Sequence, residues 1–428
     1  SNMVYKEMNK ELPTLLNEIG LKAKSASAIL NTATNDQKNK FFDFAISSIQ
    51  ENNNAILAAN QVDIKAAKDN KKDEAFIDRL ALDKSRLKGI CDTLAEIKSF
   101  NDPVGRVLAS WDRPNGLNIS RVATPLGVIG LIFESRPNVA ADAGGLCLKS
   151  GNAVILRSGK DGLRSATAIV NSLQDALKLS GLPEECIQIV PSESREAATM
   201  MLEGLNGSID VIVPRGGKSL VAEVERSAKV PVFGHLEGIC HIYVDAEAEE
   251  DKALSICLNA KMRRTGICGA VETILINEKI ISSFVPKLVA SFSDAGCEIR
   301  CCENTIGYDD RAMLASDDDW SKEYLAPIVS VKSVADIDEA ITHIENYGTG
   351  HTESVISENK EVQSKFTHSV DSAIVMINAS TQFADGGEFG LGGEIGIATG
   401  KFHARGPVGV DQLTSFKYIV KGNGHIRD

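Results

Sequence analysis

From Pro125 to Ala228 short apolar runs and longer amphipathic ones take turns, and few folds accept that order. Leu126–Phe133, Ala153–Leu156, Ile187–Val190 and Ile209–Val213 are apolar stretches of strand character. Pro137–Leu148, Leu163–Leu179, Arg195–Leu205 and Lys218–Ala228 have helical spacing, and a proline opens the first of them. This pattern predicts an α/β chain with a parallel sheet covered on both faces, whose ligands gather at the carboxyl ends of the strands. Three loops fall there: Glu134-Ser135-Arg136-Pro137-Asn138, Arg157-Ser158-Gly159-Lys160, and Pro214-Arg215-Gly216-Gly217-Lys218. None is a Gly-x-Gly-x-x-Gly fingerprint, so the ordinary Rossmann dinucleotide motif is absent. Gly216 and Gly217 at a helix start have two readings, a backbone cradle for phosphate or a plain loop.

A second alternating segment starts near His235, with strand Ile239–Val244, helix Ala248–Lys261, strand Thr273–Ile276 and helix Ile281–Ala295. Its middle holds the stretch best suited to chemistry. A cationic helix end, Lys261, Arg263 and Arg264, leads through Thr265-Gly266-Ile267 to Cys268 and Gly269. Cations stabilise the thiolate, the reactive form of cysteine. Flanking glycines admit a substrate carbonyl and leave backbone N–H groups for an oxyanion. The alternative is that Cys268 is a small apolar residue at a strand start.

The flanks read differently. Tyr5 to about Phe100 is helical and polar-faced, with Leu12, Leu15, Leu16 and Ile19 on one stripe, Phe41, Phe42, Phe44, Ala45 and Ile49 on another, and a break at Asn52-Asn53-Asn54. Its alternating charges mark a solvated face. Ser1-Asn2 ahead of Met3 reads as an addition made for expression. After Asp102-Pro103, Val107–Val122 is extended with a turn at Arg113-Pro114-Asn115-Gly116, and Val410–Val420 is extended chain that can pair with it. Such an arm suits oligomer contacts. Gly386–Gly400 is rich in glycine, as a loop passing close to a ligand would be.

The net charge of −12 argues against nucleic acid and anionic membrane as partners. Nine cysteines without regular spacing do not read as a disulfide framework, which points to a reducing, cytoplasmic compartment. No apolar run reaches the length of a membrane span, and no signal-peptide core is expected at the start. His235, Cys240 and His241 lack metal-ligand spacing, as do Cys297, Cys301 and Cys302; no metal is expected.

Certain stretches carry a resemblance: Asn54–Asn60, Asp78-Arg-Leu-Ala-Leu82, Gly127–Gly130 through Glu134-Ser-Arg-Pro-Asn138, and Gly151–Lys160. It continues through His235-Leu-Glu-Gly-Ile-Cys-His241, Val271-Glu-Thr273, Gly386–Gly390 and His403-Ala-Arg-Gly-Pro-Val-Gly409. With these the chain resembles the aldehyde dehydrogenase superfamily, and within it the branch that reduces an acyl phosphate. Many members have proline where this chain has Thr265 and asparagine where it has Gly269, which bears on the fine shape of the cysteine loop. The resemblance implies two parallel-sheet α/β domains and a small β oligomerisation arm. Residues 1–102, 124–236 and 383–404 would bind the cofactor, 237–382 would be catalytic, and 103–123 with 405–428 would form the arm of a homodimer or homotetramer. It implies NADPH-dependent reduction of L-glutamyl 5-phosphate to L-glutamate 5-semialdehyde and phosphate, the second step from glutamate to proline.

By position, Cys268 resembles the nucleophile and Asn138 the oxyanion-hole side chain. Arg157, Ser158, Gly159, Lys160, Gly216 and Gly217 are the expected cofactor contacts. Superfamily members that prefer NAD commonly carry a glutamate at the position of Lys160, gripping the ribose hydroxyls, so a cation there implies NADP(H). Arg136, Arg263 and Arg264 suit the substrate's phosphate or carboxylate geometrically, or are surface residues. Glu237 lies where hydrolytic relatives activate water, or it is structural. Two other functions stay open, a non-phosphorylating aldehyde dehydrogenase and a catalytically idle nucleotide-binding or assembly subunit.

Overall fold

The computed structural model describes residues 11–235 and 237–428; Tyr5–Lys10 of the expected helical block lie outside these, with Leu236 and the opening of the 1–102 segment. The chain folds as two compact units. One comprises the chain up to Gly234 with Leu391–Gly396 and Val408–Asp428, and the other His235–Gly390 with Ile397–Pro407.

In the first unit, helices Leu12–Leu30, Asn35–Glu51, Asn53–Asp69, Glu74–Leu80 and Lys84–Ser99 precede any strand. The break expected at Asn52–Asn54 falls at Asn52. Thr34 Oγ1 accepts the N–H of Gln37 at 3.1 Å, and the Asp83 carboxylate that of Arg86 at 2.8 Å; each caps the helix it precedes. Phe41, Phe42, Ala45 and Ile49 are fully buried, which is why their spacing was legible. The parallel sheet follows: β3 (Val128–Phe133), β4 (Ala153–Ser158), β5 (Ile187–Ile189) and β6 (Val211–Arg215) lie in the order β5-β4-β3-β6. Every residue of β3 is buried, as a two-sided parallel strand requires. Strand order reverses between β3 and β6, the switch point where such sheets bind ligands. Phe133 pairs with Ser158 on one side and Arg215 on the other, so the three ligand loops emerge side by side.

One boundary moves. The helix expected over Arg195–Leu205 stops at Leu202, because Gly204, Leu205, Asn206 and Gly207 all take positive φ. In the same unit Val107–Asp112 and Asn118–Pro125 form an antiparallel hairpin, and Thr414–Lys421 joins it as the third strand, pairing Thr414 with Pro125 and Lys421 with Asn118. Its apolar side chains stand in solvent, with Val107 at 60%, Tyr418 at 59% and Val420 at 56% exposure.

The second unit is built on a seven-stranded parallel sheet. In spatial order its strands are Met313–Leu314, Glu298–Cys301, Ile328–Val334, Val271–Asn277, Cys240–Val244, Thr352–Ile356 and Ile374–Ile377. Phe284, Leu288 and Phe292 of helix Ile281–Asp294 pack on it with Ile274 and Ile276. Among the described residues no helix is long and apolar enough to cross a membrane.

Candidate active site

Helix Glu250–Met262 ends just before the cysteine loop, and strand Val271–Asn277 begins just after it. The loop is pinned at three places. Gln382 Nε2 donates to Ala260 O at 2.8 Å and Arg264 O at 3.1 Å, which satisfies carbonyls the helix end leaves open. The Cys240 thiol donates to Cys268 O at 3.1 Å. Below the loop Lys261 Nζ meets Glu272 Oε1 at 3.0 Å with both side chains fully buried, and Glu272 Oε2 accepts the Tyr324 N–H at 2.8 Å. Burial drives the Glu272 carboxyl upward, while Lys261 and that N–H pull it back. The charge of Lys261 is therefore committed to Glu272, and only Arg263 and Arg264 are exposed cations of the loop. Arg263 Nη1 donates to Gln382 Oε1 at 3.3 Å.

Gly238 passes directly against the loop. A Cβ there would lie 2.4 Å from Cys268 O, so only glycine fits. Gly269, one of the two departures noted above, brings its backbone against Thr381 O, 3.0 Å from where a Cβ would stand. Cys268 itself is half-buried. Of the nine cysteines only Cys268 and Cys302 are not buried. Burial lifts the others out of the reactive range, Cys186 and Cys297 to about 12 and Cys301 to about 11.

In the first unit Asn138 opens helix Asn138–Lys149 at the carboxyl end of β3. Its Nδ2 donates to Asp142 Oδ2, one turn on, at 3.0 Å. An amide carries two N–H donors, so one is fixed and the other stays directed by it. Burial pushes Asp142 up to about 6, against the pull of the Asn138 hydrogen bond and of Arg215. Asn138, Asp142 and Arg136 line a cavity of about 570 Å³ with Arg79, Arg86 and Ser85. Arg86 is committed to the Asp78–Ala81 turn, donating to Ala81 O at 2.6 Å and to the Asp78 carboxylate at 2.9 Å. Arg79, Arg136 and Arg215 have no side-chain hydrogen bond or ion pair among the described residues. Burial, then Arg79 and Arg215, hold the Arg136 guanidinium below its ordinary value. Arg79, Arg136 and Arg215 thus form a cationic cluster, with Arg215 near enough to Asp142 to pull its carboxyl down.

The expected cofactor loops show a division of labour. Ser158 is buried and donates to Gly159 O at 2.9 Å, and the Gly159 N–H donates to Phe133 O at 2.9 Å, so these two shape the turn. Arg157 donates weakly to Glu193 O and Ser194 O, both at 3.4 Å. Lys160 is exposed and makes no hydrogen bond or ion pair among the described residues. At the other loop the Glu134 carboxylate accepts the Gly217 N–H at 3.2 Å, and a Cβ on Gly216 would lie 2.7 Å from Glu134 Cδ. The chain's own carboxylate thus occupies the backbone N–H of Gly217 at the start of this helix.

With these loops in view, residues 52–298 and 314–419 match the aldehyde dehydrogenase family. The chain belongs to that family. Among its relatives, the gamma-glutamyl phosphate reductase of Parvibaculum lavamentivorans is 54% identical over 418 residues, 98% of this chain and 99% of its own. That of Brucella suis is 53% identical over 420 residues, 98% of this chain and all of its own length (100%). The crystal structure of gamma-glutamyl phosphate reductase from Thermotoga maritima superposes with a TM-score of 0.95 at 41% identity, covering 96% of this chain and 100% of that one. The expected architecture, aldehyde-dehydrogenase-like with two parallel sheets and a small antiparallel one, is the one observed.

Sequence spacing passed over four residues in this aldehyde dehydrogenase. Arg79 was in view, inside the Asp78-Arg-Leu-Ala-Leu82 stretch. Asp142 follows Asn138 by one helical turn, the signal of a facing pair. Glu134 was in view as well, within Glu134-Ser-Arg-Pro-Asn138; His351 gave no signal, because the residues it meets, His235 and Cys240, lie far from it in sequence. His351 meets His235 edge to face at 4.8 Å between ring centroids, and ligand atoms of His235, His351 and Cys268 all lie within 4.8 Å of one another. Cys240 and His241 point to opposite faces, as strand alternation requires, Cys240 to the Cys268 carbonyl and His241 Nδ1 to Glu353 Oε1 at 2.8 Å.

Proposed function

We propose that the chain reduces L-glutamyl 5-phosphate to L-glutamate 5-semialdehyde and phosphate with NADPH, as the second step from glutamate to proline. The observation that carries this reading is a single half-exposed cysteine held in a pinned, glycine-lined loop, in a chain whose relatives at 53–54% identity are gamma-glutamyl phosphate reductases. The Cys268 thiolate attacks the acyl carbon and expels phosphate, a good leaving group that needs no general acid to depart. A thioester and free phosphate result. A dehydrogenase of this family takes a nicotinamide cofactor, which when bound supplies the hydride that reduces the thioester. Collapse of the hemithioacetal then frees the aldehyde and restores the thiolate. Asn138, its amide fixed by Asp142, is the side-chain donor to the oxyanion, with the Cys268 N–H as the backbone donor.

The residues fit the cofactor unequally. Lys160 meets a 2′-phosphate as an unpaired cation, which supports NADP(H) over NAD(H), and Arg157 with Gly159 frames the adenosine end. Gly216 and Gly217 suit the pyrophosphate only once Glu134 yields the Gly217 N–H. Arg136, with Arg79 beside it, is the anion contact for the substrate; Arg263 and Arg264 serve the leaving phosphate. Glu237 is structural in this reading, since water attack would waste the thioester. The domain roles follow: 1–102, 124–236 and 383–404 for the cofactor, 237–382 for the cysteine, and the antiparallel sheet of 103–123 and 405–428 for a homo-oligomer. A cytoplasmic location accords with nine free thiols.

The test is NADP reduction by glutamate semialdehyde with and without inorganic phosphate, on the intact chain and on Cys268→Ala. The oxidation is expected to require phosphate, and the variant to fold, bind cofactor and lose at least about a hundredfold in kcat, roughly 2.7 kcal/mol. Equal rates without phosphate, with free glutamate as product, would establish the non-phosphorylating reaction through Glu237. A variant retaining more than a few per cent activity would remove Cys268 from the mechanism.

A further inference from the structure

Beside the proposed nucleophile the second unit assembles a ligand set that the reduction does not use. His235, Cys268 and His351 come from three separate stretches, and their ligand atoms lie within 4.8 Å of one another. In a tetrahedral zinc shell, sulfur and nitrogen ligands stand roughly 3.4–3.6 Å apart, so side-chain movements of about 1 Å close the set. The imidazoles are prepared for this. His235 Nδ1 lies 2.9 Å from Ile397 O, a carbonyl that only accepts, so the neutral ring holds its proton on Nδ1 and turns a bare Nε2 outward. His351 is fully buried, its Nδ1 lies 2.7 Å from Thr352 Oγ1, and its Nε2 has no hydrogen-bond partner among the described residues. A buried ring nitrogen without a partner is an unmet demand that a cation satisfies and a second proton does not.

The geometry points to an inhibitory site for a thiolate-seeking divalent cation, Zn²⁺ above all, formed by Cys268, His235 and His351. One sulfur and two imidazoles are borderline-soft ligands that select zinc over magnesium or calcium. Three protein ligands leave the fourth position to water. On binding the Cys268 S–H bond breaks, an S–Zn bond forms, and the proton leaves to solvent; no electron is transferred. The Cys240 thiol holds the Cys268 carbonyl during this, and the loop need not unfold. Binding itself depends only on the ligand set. That it stops turnover rests on Cys268 being the nucleophile, as proposed above.

Two measurements separate those statements. Co²⁺ added to the metal-free full chain is expected to give a thiolate-to-metal charge-transfer band and the intense visible bands of tetrahedral cobalt, both lost in Cys268→Ala. Zn²⁺ is expected to inhibit NADP reduction reversibly, with full recovery on chelation. His235→Gln is expected to keep turnover and to require at least about tenfold more Zn²⁺ for half inhibition, and His351→Gln, if it folds, to do the same. The site is refuted if His235→Gln is as zinc-sensitive as the wild type, or if cobalt gives only octahedral bands. A cobalt–thiolate spectrum in an enzyme whose activity zinc leaves untouched would uphold the ligand set while overturning the inhibition and the role of Cys268 together.

Discussion

At the scale of single residues the arrangement turns on Asp142. Its carboxylate fixes one N–H of Asn138 at 3.0 Å and leaves the other to work. Burial raises Asp142 to about 6, so the folded chain holds this proton more tightly than the unfolded one. This group therefore favours the fold below about pH 6, and that contribution is lost as pH rises through 6. In the proposed mechanism catalysis runs the opposite way, because the charged acceptor that orients Asn138 exists only above that pH. The expected kcat profile has an acid limb near pH 6. Asp142→Asn removes the charge but keeps an acceptor, so kcat is expected to fall up to about tenfold, roughly 1.4 kcal/mol, with the acid limb gone. A limb that persists in this variant would assign it to another group.

At the scale of elements, the ends of β3, β4 and β6 carry the loops proposed above to meet the cofactor, and two residues there make opposed predictions. Glu134→Gln takes a negative charge off the Gly217 N–H and is expected to lower KM for NADPH several-fold. Lys160→Glu is expected to shift the kcat/KM ratio of NADPH to NADH by about tenfold toward NADH, the worth of one partly exposed charge pair. Steady-state titrations with both cofactors check this; an unchanged ratio would remove Lys160 from the account. This edge was legible in sequence because β3, β4 and β6 are apolar runs and its loops follow them directly. Thr352–Ile356 was not legible: it is buried along its whole length yet reads Thr-Glu-Ser-Val-Ile. Its Glu353 carboxyl meets His241 Nδ1 at 2.8 Å, and its Ser354 hydroxyl donates to Ala379 O at 2.7 Å. A strand whose polar groups are satisfied by other strands shows no periodicity of its own. His351, one residue before it, was hidden for the same reason. Cys268 stood out in the sequence through its glycine-flanked, cationic loop, whereas Asn138 was singled out by the family resemblance rather than by any spacing of its own.

At the scale of the whole molecule, the three-stranded antiparallel sheet leaves Val107, Trp111, Tyr418 and Val420 in solvent, with Trp111 and Tyr418 edge to face at 6.5 Å. Exposed aromatic and β-branched rows on one small sheet are the composition of an interface. Removing Val410–Asp428 deletes one strand and is expected to give monomers by light scattering; an oligomer of unchanged mass would refute the arm. A different consequence belongs to the cysteines. With seven of nine sealed inside, the native chain offers alkylating reagents two sulfurs, Cys268 and Cys302. A Cys302→Ser background would reduce that to one, so that on the proposed role of Cys268 a single mass increment per chain would count competent active sites directly, and an electrophilic fragment library screened by intact mass would report hits at one address.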